Sequence, residues 1–397
     1  MEARTDVAVV GAGSTGASVL YHLAEAATDC LLIDQGEQIA SGQTSRSTAL
    51  VRTHYTVETV ARMALLSYNF FRCFEKNLPG RSAGYVETGL LIGVDSKSEK
   101  AVKDNMVMLR GLGAITDLVD MEEARRLEPF LDPSPFAALV FEPHAGYAEP
   151  SATASAFVSA AKEHGAKTMM GARVIKITRS GNGYRLDTAA GGVVARKVVL
   201  ATGPWSKPIF ASLGIGLPMK AVRHPVAIYR RPPEYPGTRP VIFDLVNAGY
   251  YKPEGRQSLI VGSLELELDI SGTEVDPDGY RTDITSEEMT KLSGWVMGAL
   301  PVMASKGVYE RGYAGVYDNT PDEQPVIDEL SDYGFENLFC LVGLSGHGFK
   351  LAPEFGRIMA ALVNEGAFKD YDVSPFRLRR FTEGKLLKSR YEFGTIG

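Results

Sequence analysis

Two glycine-rich stretches of this 397-residue sequence have the composition of loops that bind anionic groups. The first, Gly11–Gly16, reads GAGSTG and lies between the apolar run Val7–Val10 and a stretch in which Val19, Leu20 and Leu23 share one helical face. In a strand–loop–helix unit of this kind, the glycines allow a tight turn, close approach of the backbone to a pyrophosphate, and close packing of helix on strand. Free N–H groups at the start of the helix attract the phosphates. The pattern predicts a site for the ADP half of a dinucleotide.

A carboxylate follows the second predicted strand, at the position where dinucleotide-binding proteins bind a ribose. The apolar run Cys30–Ile33 leads into Asp34, which lies 23 residues after Gly11. The strand, loop, helix and acid together favour a dinucleotide site over a glycine-rich turn in an unrelated α/β protein. The motif leaves the choice between NAD and FAD open.

The second glycine-rich stretch is Gly343–Lys350, which reads GLSGHGFK. It follows the apolar run Leu338–Val342 and precedes a predicted amphipathic helix at Pro353–Val363. Three glycines so close together indicate backbone that approaches a ligand, and the start of a helix supplies positive potential. A reduced flavin carries negative charge at N1 and the C2 carbonyl, which this arrangement would stabilise. The stretch therefore favours a flavin site over an ordinary strand-to-helix turn.

The elements that must position these loops are four apolar runs, typical of parallel strands buried on both faces. They are Val7–Val10, Cys30–Ile33, Val198–Ala201 and Leu338–Val342. Between these α/β signals, residues 82–147 are mixed in character and residues 219–317 are rich in strand patterns. The sequence predicts an α/β fold in two domains. A Rossmann-type cofactor-binding domain is expected from residues 1–81, 148–218 and 318–397, and an α+β substrate-binding domain, with a mainly antiparallel sheet, from residues 82–147 and 219–317.

Composition and charge argue against several classes of partner. The net charge of −6 is spread through the sequence, so no nucleic-acid partner is expected. The sequence has no apolar run long enough for a spanning helix, so no integral membrane segment is expected. The three cysteines, Cys30, Cys73 and Cys340, have neither zinc nor disulfide spacing, so no metal site is expected and a reducing cytoplasm fits best.

Four segments taken together make this sequence resemble the D-amino acid oxidase superfamily of FAD-dependent oxidoreductases. They are Gly11–Gly16, Ser41–Thr48, Ala201–Trp205 and Ser345–Lys350, in the family's order. Within the superfamily, the sequence is most similar to the sarcosine oxidase branch, which includes monomeric enzymes and the β subunit of a heterotetrameric enzyme. The resemblance implies that the cofactor is FAD and that it lies in a long groove, with its flavin ring at the domain boundary.

The resemblance also implies which residues bind FAD. Gly315 stands where members of the branch that attach the flavin covalently have a cysteine, so we expect FAD to be bound noncovalently here. The residues carried over as FAD-binding are Gly11, Gly13, Ser14, Thr15, Gly16, Asp34, Gln35, Ser41, Gly42, Ser45, Arg46, Ser47, Thr48, Val174, Thr202, Gly203, Trp205, Gly346, His347, Gly348, Phe349 and Lys350.

By the same resemblance, the substrate side of the site contains two basic residues and two tyrosines. Arg52 and Lys350 match residues that hold a carboxylate, and two cations suit that role. Tyr250 and Tyr317 match tyrosines that line the pocket. On residue type alone, a surface salt bridge explains Arg52 equally well, and strand packing explains Tyr250 better than catalysis does. No side-chain base is nominated.

The function implied is FAD-dependent oxidation of the carbon–nitrogen bond of an amino acid, most simply a secondary or N-methylated one such as sarcosine. A hydride equivalent passes to flavin N5, and the imine then hydrolyses. Two alternatives stay open. The first is a different substrate, because a 2-hydroxy acid or a D-amino acid would also suit a carboxylate clamp. The second is that the chain is the flavin-bearing subunit of a multi-subunit dehydrogenase.

The electron acceptor and the presence of a partner subunit are also left open. The lysine with which these oxidases activate O2 aligns with Ile260 here, which favours a carrier other than O2 as electron acceptor. The basic segments Phe376–Arg380 and Lys385–Arg390 are candidates for docking a partner subunit, although such runs also occur as solvated surface.

Overall fold

The elements of the fold are taken from a computed structural model, which describes residues 2–264 and 274–388. The strands are β1 (Ala3–Val10), β2 (Cys30–Ile33), β3 (Leu50–Val51), β4 (Val86–Glu87), β5 (Leu90–Val94), β6 (Asp117–Val119), β7 (Ala138–Glu142), β8 (Gly146–Tyr147), β9 (Lys167–Met169), β10 (Val174–Ser180), β11 (Gly183–Thr188), β12 (Gly191–Leu200), β13 (Lys220–Arg230), β14 (Val241–Asp244), β15 (Gly249–Glu254), β16 (Ser258–Ser263), β17 (Val308–Asn319), β18 (Val326–Glu329) and β19 (Leu338–Val342). The α-helices are α1 (Ser14–Glu25), α2 (Glu58–Arg72), α3 (Phe74–Asn77), α4 (Glu99–Gly111), α5 (Met121–Leu127), α6 (Pro150–Glu163), α7 (Ser206–Ser212), α8 (Ser286–Ala299), α9 (Pro301–Lys306) and α10 (Gly348–Glu365).

The first sheet contains the four apolar strands that the sequence predicts. Its strands run in the order β10-β11-β12-β1-β2-β9, and β19 lies beside β12 and pairs with β18. β1 pairs in parallel with β2 and β12, and β12 pairs in parallel with β19. One face packs on helices α1, α6 and α10, and the other on α7 and neighbouring segments. Burial on both faces explains why these strands have apolar residues at consecutive positions, and the prediction of an α/β fold is confirmed.

Helix α10 begins earlier than its sequence pattern indicates. The prediction started the helix at Pro353, but it runs from Gly348, and Pro353 lies inside it. A proline lacks only its own N–H, so at this position the helix loses the single bond that would reach the carbonyl of Phe349. The consequence for the site is that Phe349 and Lys350 belong to the first turn of a helix.

The second sheet is mainly antiparallel, as predicted. Its strands run in the order β17-β13-β16-β15-β14-β5-β7-β6, and the β14–β5 pair is parallel. Helix α4 covers one face, and helices α8 and α9 cover the other. A small sheet of β3, β8 and β4 lies apart from both. The first sheet draws its strands from three separated parts of the chain, and on this alternation we base the proposal of two domains with the boundaries given above.

The basic segment near the C-terminus finds its partners within the chain. Arg380 pairs with Asp322, both 1% exposed, while Arg377 pairs with Glu383 and Arg379 pairs with Asp332. Lys385 also pairs with Glu383, and the predicted segment beyond residue 388 lies outside the described residues. Positive charge compensated in this way offers little attraction to an acidic partner surface.

Membrane-spanning helices and metal sites, which the sequence does not predict, can be assessed within residues 2–264 and 274–388. None of the helices there has both the length and the apolar character needed to cross a membrane. In the same part of the chain, His, Cys, Asp and Glu side chains do not come together in groups of three or more that could hold a metal ion.

Candidate cofactor and substrate site

A cavity of about 790 Å³ extends from the loop after β1 to the ends of β15, β16 and β17. It joins residues from the first sheet with residues from the second, so the predicted cofactor and substrate positions share one space. The predicted residues that line it are Gly11, Gly13, Ser14, Thr15, Asp34, Gln35, Ser41, Gly42, Arg46, Ser47, Thr48, Arg52, Val174, Thr202, Gly203, Trp205, Tyr250, Tyr317, Gly346, Gly348, Phe349 and Lys350.

Three predicted cofactor residues are not part of the cavity wall. Gly16 is buried, and a Cβ there would lie 1.9 Å from the carbonyl oxygen of Gly11, so this glycine serves the packing of α1 on β1. Ser45 is exposed, and its hydroxyl donates to the carbonyl of Gly42 at 3.0 Å. His347 is buried behind the wall, where its Nδ1 lies 3.1 Å from the hydroxyl of Tyr55.

The first glycine-rich loop has the geometry that a pyrophosphate site requires. Gly11 has a φ of +111°, and a Cβ there would lie 2.2 Å from the carbonyl oxygen of Ala201. The carboxylate of Asp34 accepts hydrogen bonds from the N–H of Ala12 at 2.5 Å and of Gly36 at 2.7 Å, which holds the loop against the end of β2. The first turn of α1 faces the cavity with its N–H groups.

Thr44 occupies the start of helix α1, and sequence analysis did not nominate it. Its hydroxyl accepts a hydrogen bond from the N–H of Ser14 at 3.0 Å. A neutral oxygen thus satisfies one of the donors that a phosphate oxygen would take in the complex. The hydroxyl comes from a residue 30 positions away, so no local pattern indicates it.

The second glycine-rich loop is folded tightly against β17. Gly343, Ser345 and Gly346 all have positive φ, and a Cβ on Gly346 would lie 2.9 Å from the ring of Tyr317. The backbone carbonyl of Asp318 accepts a hydrogen bond from the N–H of Ser345 at 3.3 Å. The carboxylate of Asp318 is buried, its Oδ2 has no hydrogen-bond partner among the described residues, and burial raises its pKa to about 6. The loop therefore brings backbone and the start of α10 to the cavity at the end opposite Gly11.

Arg52 is buried at the cavity wall and is held by its neighbours. Its guanidinium donates to the carbonyl of His54, and it lies 4.1 Å from the ring centroid of Tyr55 and 5.5 Å from that of Phe243. Aromatic faces stabilise a desolvated cation. The surface salt bridge that residue type alone allowed is therefore wrong, because Arg52 is only 2% exposed.

A carboxylate behind Arg52 fixes the backbone that supports it. Glu142, at the end of β7, accepts hydrogen bonds from the N–H of Thr53 at 3.1 Å and from its hydroxyl at 2.8 Å. Burial raises the pKa of Glu142, and burial lowers the pKa of the neighbouring His54 to about 3. His54 is thus a neutral structural group at physiological pH.

Lys350 projects from the first turn of α10 into the same cavity. Its ammonium nitrogen donates to the carbonyl of Gly346 at 3.0 Å. Burial, followed by the positive charge of Arg52, holds the pKa of Lys350 well below its ordinary value. Within residues 2–264 and 274–388, no carboxylate forms an ion pair with this lysine.

Tyr250 and Tyr317 line the same cavity as these two basic residues. Tyr250 lies over Gly262, where a Cβ would come within 2.3 Å of the phenol oxygen. The ring of Tyr317 stacks on that of His224, with centroids 4.3 Å apart. Burial raises the pKa of both phenols, so both are neutral at physiological pH, and burial lowers the pKa of His224 to about 4.

Strand β16 presents apolar and hydroxyl groups to the cavity. Ile260 packs in the apolar cluster with Phe243 and Tyr250 and is not part of the wall, whereas Ser263 and Leu264 are. No residue of β16 therefore brings a cationic side chain to the cavity. This holds for every register in which the family's lysine could be aligned with this strand.

The segment 274–284, which we term the clasp, contributes to the cavity wall through Asp278 and Tyr280. The carboxylate of Asp278 accepts hydrogen bonds from the indole of Trp205 at 2.7 Å and from Arg173 at 2.6 Å. The amide nitrogen of Gln43 donates to the hydroxyl of Tyr280 at 3.3 Å. Sequence analysis missed the clasp because its polar residues match no motif and meet their partners only in the folded chain.

These features fit an extended dinucleotide such as FAD. The cavity has a helix start near each end, a glycine where the backbone must approach a ligand, and a carboxylate at the end of β2. Gly315 lines the cavity too, and a Cβ there would lie 3.4 Å from Gln43 and 3.5 Å from Arg46, so a side chain would fit.

Comparison with known proteins agrees with this geometry. A family model described as FAD dependent oxidoreductase matches residues 6–362. Monomeric sarcosine oxidase from Bacillus sp. (strain B-0618) is 25% identical over 391 residues, which cover 96% of this chain and 97% of that protein. Human peroxisomal sarcosine oxidase (Homo sapiens) is 27% identical over 388 residues, which cover 95% and 96%. The crystal structure of L-proline dehydrogenase from P. horikoshii has a TM-score of 0.88 and 26% identity, and the match covers 98% of this chain and 100% of that chain.

Proposed function

Since the chain belongs to the FAD dependent oxidoreductase family, we propose that it oxidises the carbon–nitrogen bond of a secondary or N-methylated amino acid. The observation that carries the proposal is the pair Arg52 and Lys350 in the cavity whose far end holds the dinucleotide loop. Two basic groups select a carboxylate and fix the α-carbon beside it. Relatives named for sarcosine and L-proline, both secondary amino acids, support this substrate class.

Residues from both glycine-rich loops would hold the cofactor. The first turn of α1 would bind the pyrophosphate, Asp34 the adenosine ribose, and Val174 the adenine end through its backbone. Ser47 and Thr48 would lie along the middle of the cofactor, and the start of α10 at the pyrimidine edge of the flavin. When bound, FAD accepts the hydride equivalent at N5.

The protein groups at the other end orient the substrate and exclude water. Arg52 and Lys350 would hold the carboxylate, while Tyr250 and Tyr317 would confine the amine and its substituent. Phe243 and Leu264 add apolar wall, which strengthens the charge interactions inside. The imine formed by the oxidation hydrolyses once it meets water.

We also propose that FAD is bound noncovalently. The position at which relatives carry a flavin-linking cysteine is Gly315 here, and no described cysteine lines the cavity. Acid precipitation of the purified protein tests this: the yellow colour should stay in the supernatant. Colour retained in the pellet would contradict noncovalent binding.

The electron acceptor is proposed to be a carrier other than O2. A fixed cation beside the flavin stabilises superoxide as it forms, and β16 brings none to the cavity. Substrate-reduced protein should therefore reoxidise slowly in air and quickly with an artificial dye acceptor. Rapid reoxidation by air would refute this part of the proposal.

An anaerobic titration tests the reaction and the substrate class together. Sarcosine, L-proline, a D-amino acid and a 2-hydroxy acid are added in turn, and bleaching of the flavin absorbance is recorded. We expect bleaching with the secondary amino acids. The clamp contacts only the carboxylate, so bleaching by the D-amino acid or the 2-hydroxy acid alone would move the function to that class. The native mass, measured on the same sample, tests for a partner subunit.

A further inference from the structure

Two basic side chains share one enclosed space around Lys350. Arg52 lines the same cavity, and its positive charge lowers the pKa of the lysine. The lysine Nζ donates a hydrogen bond to the carbonyl of Gly346 at 3.0 Å. Of the acidic groups on the neighbouring elements, Glu142 accepts hydrogen bonds from Thr53, and among the described residues neither Glu142 nor Asp318 forms an ion pair with Lys350.

The other titratable groups near Lys350 do not supply a counter-charge. Tyr55, Tyr250 and Tyr317 are neutral phenols because burial raises the pKa of each. His347 precedes α10 and is a neutral imidazole, since burial lowers its pKa well below the ordinary value. A like charge and desolvation both disfavour a second cation here, and a guanidinium does not give up its proton. Of the two basic groups, the lysine is therefore the one whose protonation state changes.

We propose that Lys350 accepts the ammonium proton of the incoming amino acid, a step that rests on the proposed function. One N–H bond of the substrate ammonium breaks and one N–H bond forms at Nζ, with no electrons exchanged. A zwitterion and a neutral lysine become an anionic amino acid and a lysine ammonium. The carboxylate then lies between two cations, and the amine has the free electron pair that oxidation requires. After product release, the lysine returns its proton to water.

This step has a consequence that a permanently charged clamp does not share. If the lysine were already an ammonium, the substrate could become an anion only by releasing a proton to solvent or by entering in its rare deprotonated form. With Lys350 as acceptor, the abundant zwitterion binds without net exchange of protons. A carboxylate that carries no amine must instead draw one proton from water as it binds.

The experiment counts protons during ligand binding to the FAD-loaded protein. Binding is followed by the change in flavin absorbance, and protons by an indicator dye in weakly buffered solution near pH 8. The probes are 2-furoate, a carboxylate without a basic amine, and N,N-dimethylglycine under anaerobic conditions, a zwitterion. For the wild-type protein we expect uptake of about one proton per site with 2-furoate and about none with N,N-dimethylglycine.

The matched variant is Lys350→Arg, which keeps a cation but cannot accept a proton. It should bind 2-furoate with no uptake and N,N-dimethylglycine with release of about one proton. Its kcat/KM for a secondary amino acid should rise about tenfold per pH unit below the pKa of the substrate amine, while the wild-type profile is flatter. If the variant loses FAD, the two wild-type proton counts still decide the matter.

The outcomes separate this proposal from the proposed function. Flavin bleaching by an amino acid, combined with no proton uptake on binding 2-furoate, would overturn the role of Lys350 alone. Uptake of a proton with both probes would show that the lysine is neutral but that the substrate keeps its ammonium, which also overturns the proposal. If neither probe perturbs the flavin and no amino acid bleaches it, the carboxylate clamp fails and both fall together.

Discussion

Replacing Arg380 by methionine should destabilise the protein far more than its place in a basic C-terminal segment indicates. The side chains of Arg380 and Asp322 are each 1% exposed. The guanidinium donates to both carboxylate oxygens, at 2.8 and 2.9 Å, and also to the carbonyls of Gln324 and Phe376. One cation thus ties the C-terminal segment to the loop that follows β17.

The magnitude follows from what the substitution leaves behind. Methionine fills much of the volume, but the carboxylate of Asp322 stays buried without its counter-ion. Breaking one side of a buried pair costs about 3–5 kcal/mol. The neighbouring Arg379 provides the control, because its pair with Asp332 is about half exposed. Arg379→Met should cost about 0–1 kcal/mol.

The assay is urea unfolding of both variants and the wild type, followed by circular dichroism and by flavin fluorescence. Burial alone would raise the pKa of Asp322, but the hydrogen bonds and charge of Arg380 outweigh burial and lower it. The wild-type pair therefore stabilises the fold above the unfolded pKa of about 3.9 and loses this effect as pH falls through the lower folded pKa.

In Arg380→Met, the unpaired Asp322 is easier to protonate, so the penalty should shrink as pH falls from 7 towards 4. A double variant with Asp322→Asn should recover part of the loss at pH 7. The reasoning is refuted if Arg380→Met and Arg379→Met destabilise equally, or if the Arg380→Met penalty is independent of pH.

Three further predictions concern the site itself. Gly315→Cys places a thiol in the cavity at ordinary contact distances, so part of the flavin should stay in an acid-precipitated pellet, while Gly315→Ser releases all of it. Asp278→Ala removes the two hydrogen bonds that the clasp makes with Trp205 and Arg173. Each bond is partly exposed and worth about 0.5–1 kcal/mol, so FAD should dissociate about 5–30 times faster, as measured by recovery of its fluorescence after dilution. Gly262→Ala puts a Cβ 2.3 Å from the Tyr250 hydroxyl, so kcat/KM should fall at least tenfold with FAD content unchanged, while Gly298→Ala, which meets open space, should leave kcat/KM as it is.

The parts of the fold that the sequence predicts well are those where one physical cause acts over consecutive residues. Residues Val7–Val10 of β1, together with strands β2 and β19, are buried on both faces, so every position in these runs is apolar and the runs are easily identified. The start of α10 was misplaced because the proline rule describes a preference at helix starts, whereas the helix tolerates Pro353 at the loss of one hydrogen bond.

Among the site residues, those whose role has a local cause could be predicted from the sequence, and those held by distant residues could not. A glycine in the sequence can by itself indicate a position where the backbone approaches a neighbour closely. Gly11 and Gly346 both lie at the cavity with positive φ. The groups that hold Arg52 could not be read from its surroundings in the sequence. Glu142 lies 89 residues from Thr53, and Phe243 reaches the guanidinium from a different sheet. Contacts of this kind depend on the fold, so no spacing rule detects them.

On the proposed function, the placement of charge would make the basic end of the cavity select carboxylates rather than amines. Glu142 acts on Arg52 from behind, through the backbone of Thr53, which fixes the position of the guanidinium at the cavity wall. Burial and the charge of Arg52 lower the pKa of Lys350, which favours its neutral form before the substrate binds. An amine without a carboxylate would face Arg52 as one cation facing another, whereas an amino acid supplies the anion that lets Lys350 become charged. The carboxylate of the substrate is therefore part of what activates its own amine, and the selectivity of the clamp and the chemistry at the nitrogen have a common electrostatic cause.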